Sequence, residues 1–114
     1  MKERLAKGEA ISGGIPLGLR VGHLLRVSGY LDMAILSMWA DRRAEVAMAM
    51  AEASVRGYGP GGPEGPDEGL LARLRDLVGE AQEYHAADDF PAAMARMRVA
   101  EDLTSLHAIR LTGE

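Results

Sequence analysis

The clearest alternation of apolar and polar positions lies between Asp67 and Gly113. Leu70, Leu74, Leu77, Val78, Ala81, Tyr84 and His85 recur at helical intervals, while Arg73, Arg75, Asp76, Glu80, Gln82 and Glu83 fall on the other sides. That period predicts an amphipathic helix running to about Ala87, with Asp67 as its N-cap. Asp88-Asp89-Phe90-Pro91 reads as a tight turn into a further helix. Asp89 can cap it, and proline is tolerated in a first turn because its missing N–H would be unpaired anyway. Ala93, Met97, Ala100, Thr104 and Leu111 share a face of this last helix, which ends near Gly113. So short a connection predicts an antiparallel helical hairpin.

Upstream the pattern is less one-sided. A helix is predicted from about Gly29 to Arg56, with Ser28 as N-cap. Wheeling it at a helical period puts Leu31, Ile35, Met38, Val46, Ala49 and Ala53 on one stripe. Met33, Ala40, Ala44, Ala47, Met48 and Ala51 make the other side apolar too, which predicts burial on more than one side, involving a second subunit. Before it, Gly13-Gly14-Ile15-Pro16 suits the entry of a short helix with Leu17, Val21, Leu24, Leu25 and Ser28 on one face and Arg20 and Arg26 elsewhere. Gly14, Gly18 and Gly22 recur every fourth residue, a spacing that lets another helix pack closely. Each internal glycine weakens a helix by about 1 kcal/mol relative to alanine, so this segment needs tertiary or quaternary support.

Glycine and proline crowd the stretch from Gly57 to Gly69, which no helix or strand survives. The chain is therefore read as one helical domain over residues 1–114: N-terminal helices (1–56), a Gly/Pro-rich loop (57–69) that acts as a slack connection, and a hairpin (70–112). The fold class is all-α, a small bundle whose C-terminal antiparallel hairpin is joined by that loop to a long apolar N-terminal helix.

Composition narrows the function. Thirteen Lys and Arg against 17 Asp and Glu give a net charge of -4, which argues against a nucleic-acid backbone as principal partner. The absence of cysteine excludes disulfides, thiolate catalysis and zinc ribbons. Arg20, His23, Arg26 and Asp32 interrupt the hydrophobic stretch from Ile11 to Trp39, so no membrane span is expected and the location is read as cytoplasmic. Within the hairpin, the spacing of Tyr84, Asp89, Phe90, Ala93, Met97 and Ala100 resembles one tetratricopeptide-type unit, over about a third of the chain and without the glycine expected near Ala81. The resemblance implies a protein-binding surface.

Chemistry is sparse. His85 and His107 lie on apolar faces, but an antiparallel hairpin holds them over ~20 Å apart, so each is read as packed at a helix contact with one hydrogen bond. Arg98 and His107 are too widely spaced for the Arg–polar–His signature of HEPN-type helical ribonucleases. No Glu-x-x-His step suggests a bundle metal site. No catalytic residue, metal or cofactor is assigned. Arg42 falls inside the apolar stripe with Asp41 and Glu45 beside it, which suggests a buried polar cluster, either a register-fixing ion pair or a site for a small anion or peptide carboxylate. The other reading is simple exposure, the stripe being broken where a partner helix ends. Leu31, Ile35, Met38, Trp39 and Met48 are the candidate interface, Trp39 as an anchor at the core edge. Tyr58 is a candidate partner handle within the loop. The leading expectation is a non-enzymatic interaction or assembly subunit, a homo-oligomer or a small component of a larger complex. Two alternatives stand beside it: a ligand-binding or enzymatic bundle with a polar site at a subunit interface, and a nucleic-acid-associated accessory using Arg20, Arg26, Arg42, Arg43 and Arg56.

Overall fold

A computed structural model describes residues 11–12, 14–41 and 44–113. A two-residue antiparallel ladder, β1 (Ile11–Ser12) with β2 (Ile15–Pro16), leads into four helices: α1 (Leu17–Asp41), α2 (Glu45–Arg56), α3 (Glu68–Ala86) and α4 (Phe90–Gly113). The fold is an all-α bundle. α1 packs on α2 and α4, and α3 packs on the same two, so the helices close a ring around one core.

Each helix supplies a stripe at coiled-coil intervals. In α1 the buried positions are Arg20, Leu24, Val27, Leu31, Ala34 and Met38, at alternating steps of four and three. α2 buries Met48, Ala51 and Val55; α3 buries Leu71, Leu74, Leu77, Val78, Ala81 and His85; α4 buries Ala93, Met97, Ala100, Thr104 and Ala108. Steps averaging 3.5 residues keep each stripe facing its neighbours along the whole helix. Thr104 is accommodated because its hydroxyl donates to the Ala100 carbonyl at 2.8 Å.

The N-terminal boundaries differ from those the pattern predicted. Ser28 is not an N-cap; it sits mid-helix in α1 and donates its hydroxyl to Glu101 of α4 at 3.0 Å. The helix runs through Gly18, Gly22 and Gly29 because the Arg20–Met38 stripe is continuous, and burial of Leu24, Val27 and Leu31 outweighs the glycine penalty. The break falls instead after Asp41, at the charged step that was expected to lie within a helix. Carrying one wheel across that break misassigned the second half of the stripe. Val46 is 76% exposed and Ala49 and Ala53 face solvent, while Met48, Ala51 and Val55 turn inward.

α2 has 12 residues against 25 in α1, so it covers only half of its neighbour. The glycine- and proline-rich segment meets the other half at two places, Gly59 against the His23 ring and Asp67 against Arg20. It closes on itself through Gly62 N–H to Gly59 O (3.0 Å), a 3-10 turn at Gly62–Glu64, and Gly65 N–H to Gly62 O (2.9 Å). Gly61 (φ 94°) and Gly62 (φ 69°) take the left-handed conformations that only glycine adopts readily. A Cβ on Gly65 would stand 2.4 Å from the Pro60 carbonyl oxygen. Where a slack connection was expected, the segment is a knitted plug over the upper half of α1.

The hairpin follows its predicted plan. Asp89 Oδ1 accepts the Ala92 N–H at 3.3 Å, capping α4. α3 ends with Asp88 at φ 62°, the Asp89 N–H reaching back to Tyr84 O (2.8 Å) and the Asp88 N–H to His85 O (3.0 Å). That is the paired closure usually built on a glycine.

Candidate functional site

At the upper end of the bundle three distant segments meet on one carboxylate. Arg20 comes from the first turn of α1, Asp67 from the end of the plug and His107 from the last third of α4. Asp67 Oδ2 accepts from Arg20 Nε at 3.0 Å, and Oδ1 accepts from Arg20 Nη2 at 2.5 Å. His107 Nε2 lies 2.9 Å from the same Oδ1. Asp67 is 2% exposed and Arg20 5%. Burial by itself would raise the Asp67 pKa; the hydrogen bonds from Arg20 and His107 outweigh it and hold the carboxyl below its ordinary range. Asp67 stands where an N-cap was predicted, yet its side chain makes no cap bond, because both oxygens are engaged across the bundle.

His23, one turn beyond Arg20, packs its ring beneath the plug. A Cβ on Gly59 would lie 2.9 Å from the ring, so glycine is what admits the histidine there. Burial first, then the charge of Arg26, lowers the His23 pKa; Asp67 pulls it the other way. Its Nδ1 is buried without a hydrogen-bond partner among the described residues. The group as a whole is a clasp: a carboxylate saturated by an arginine and a histidine, joining α1, plug and α4.

The clasp was not expected from sequence, although one signal was present. Arg20 continues the four-three spacing of Leu24, Val27 and Leu31, and an arginine in a buried stripe requires an acid. The candidate cluster that was expected is placed as follows. Arg42 lies outside the described residues, Asp41 closes α1, and Glu45 is exposed at the start of α2. Glu45 borders a cleft of about 400 Å³ with His85 and Phe90, the latter two rings meeting edge to face at 5.4 Å. Among the described residues no group of three or more acidic or histidine side chains could hold a metal ion. His107 has its single hydrogen bond, though to a carboxylate from another segment and not within its own helix pair.

Of the candidate interface residues, Leu31, Met38 and Met48 lie within this chain's own core and Ile35 packs against it. Trp39 is 75% exposed and borders a second cleft of about 400 Å³ with Pro91 and Met94. Tyr58 is exposed on the plug.

α1 has a further stripe, on the side away from the core. Gly18, Gly22, Leu25, Gly29, Asp32, Leu36 and Trp39 repeat at steps of four and three, the same interval as the buried stripe. Leu25 is 60% and Leu36 66% exposed, and Leu19 and Met33 flank them in solvent. Arg26 and Asp32 are the only charged residues on this outward surface between Gly18 and Ala40. Among the described residues no helix is long and apolar enough to cross a membrane. No protein-family model matches the chain, and no curated protein or solved structure matches it.

Proposed function

We propose that this protein is a self-assembling subunit whose copies dock through the outward face of α1. The observation that carries the reading is the second heptad-spaced stripe, which points into solvent with Leu25, Leu36 and Trp39 exposed. A helix with two such stripes is built to pack on both sides, and the bundle covers one of them. Monomeric proteins seldom leave a contiguous apolar patch of this kind uncovered. The interspersed glycines open close approach between helices: Gly18 and Gly29 have nothing within 4 Å of a built Cβ. The clasp supports the reading differently, since both oxygens of its carboxylate are engaged and tie the first turn of α1 to the plug and to α4. Burying Leu25, Leu36 and Trp39 supplies on the order of 1–3 kcal/mol per side chain toward association.

The test is the mass in solution of the wild type and of Leu36→Glu, measured by light scattering at micromolar concentration. Leu36 is exposed, so the variant is expected to keep its helical circular dichroism and melting temperature while falling to monomer mass. A monomeric wild type, or a Leu36→Glu variant that assembles as before, overturns the proposal.

A further inference from the structure

The outward stripe of α1 is complementary to itself when reversed. About Gly29, residues at equal distance on either side form matched pairs. Three positions away stand Arg26 and Asp32, a cation and an anion. Four positions away stand Leu25 and Met33; seven away, Gly22 and Leu36; eleven away, Gly18 and Ala40. An antiparallel helix turned about a two-fold axis at Gly29 would meet charge with opposite charge, Leu25 with Met33, and Leu36 with the space above Gly22.

The charges give the arrangement its direction. Arg26 is exposed, and among the described residues it makes no ion pair. Its guanidinium lies back over Gly22, with Nη1 3.8 Å from a Cβ built there, so the cation rests against the stripe. Asp32 stands beside Glu101 of α4, whose Oε2 already accepts from Ser28 and from Ser105 at 3.0 and 2.6 Å. Burial, and then the charge of Glu101, pushes the Asp32 carboxyl up from its ordinary pKa. Among the described residues Asp32 and Glu101 have no cation and Arg26 has no carboxyl, and Arg26 and Asp32 stand symmetrically about Gly29.

Resting on the self-assembly proposed above, we infer that the partner is a second copy of this chain, paired antiparallel through α1 across a two-fold axis at Gly29, with Arg26 of each copy against Asp32 of the other. The interface is isologous and therefore closed, so the assembly stops at two copies on this face. Turning Arg26 from over Gly22 onto Asp32 of the other copy uncovers that glycine, Leu36 of the other copy fills the space, and the two Gly29 backbones meet at the axis.

Charge exchange tests the pairing. Arg26→Asp alone sets like charges against each other twice per dimer, as does Asp32→Arg alone, so each is expected to raise the dissociation constant on the order of a hundredfold. Mixing the two variants restores both pairs and is expected to return wild-type affinity as a one-to-one heterodimer. Because the chain has no cysteine, the axis can be located chemically. Gly29→Cys should form a covalent dimer under mild oxidation, since only a residue on the axis meets its own copy within disulfide reach. Gly22→Cys should not cross-link to itself, but should do so with Leu36→Cys. If Leu36→Glu dissociates the assembly while the charge variants keep wild-type affinity, or their mixture fails to recover it, or Gly29→Cys stays uncross-linked, the antiparallel pairing is overturned and self-assembly through α1 still stands. If the wild type is monomeric, both fall.

Discussion

Removing the Asp67 carboxylate is the sharpest test of the clasp. In Asp67→Ala the Arg20 guanidinium, 5% exposed, loses both of its hydrogen bonds to that carboxylate, and His107 Nε2 loses its acceptor. Taking one partner from a buried, hydrogen-bonded ion pair costs about 3–5 kcal/mol, mostly through the uncompensated charge left behind. A domain of this size is stable by roughly 5–15 kcal/mol, so the variant should lose about a fifth or more of its stability. Replacing both members should cost less than replacing one, because the buried guanidinium goes together with its carboxylate: Arg20→Met/Asp67→Ala is expected to regain at least half of the loss. The assay is urea unfolding followed by far-ultraviolet circular dichroism at neutral pH. The deficit should also depend on pH in a definite direction. The folded protein keeps the Asp67 carboxyl ionised to lower pH than the unfolded chain does. The clasp therefore contributes fully above about pH 4 and loses that contribution as the pH falls through the depressed folded value, so variant and wild type should converge in acid. An Asp67→Ala loss under about 1 kcal/mol, or a double variant weaker than the single one, would show that the buried pair does not hold this end of the bundle together.

Three further outcomes follow from local geometry. His23 resists protonation in the fold, so wild-type stability should decline as the pH drops below about 6.5, where the unfolded histidine takes up a proton; His23→Leu should flatten that limb, and equal slopes for the two proteins would count against the buried neutral ring. Gly65→Ala places a methyl 2.4 Å from the Pro60 carbonyl oxygen, so a melting temperature within a degree of wild type would show that the plug is not knitted as described. Asp88→Gly relieves a left-handed residue at the end of α3 and should stabilise the protein by about 0.5–1 kcal/mol, read as a rise in the denaturation midpoint.

The α3–α4 hairpin was legible because its information is local. Leu74, Leu77, Val78 and Ala81 sit opposite charged residues, and Asp89 with Pro91 marks the turn, so a short window of sequence suffices. The long N-terminal helix was not, for two physical reasons. Glycine at Gly22 and Gly29 is read from propensity as a weak point, yet here those positions face outward on a helix held by its opposite side. The charged step after Asp41 is compatible with a buried ion pair or a helix end, and periodicity alone favoured continuity. The clasp lay further out of reach, since Asp67 is 47 residues from Arg20 and 40 from His107, and no local pattern connects them. Only the misfit of Arg20 in an apolar series announced that a distant acid must exist.

Those same separations bear on how the chain acquires its fold. A hairpin such as α3–α4 can form as soon as its own residues are available, because its contacts span a short loop. The Arg20–Asp67 pair spans 47 residues and forms only once the plug is laid down. Until α4 has emerged past His107, the carboxylate lacks one of its three contacts. The clasp is thus completed only late in synthesis. A chain interrupted before His107 would leave that end open, so the clasp serves as the protein's own check that α4 has arrived.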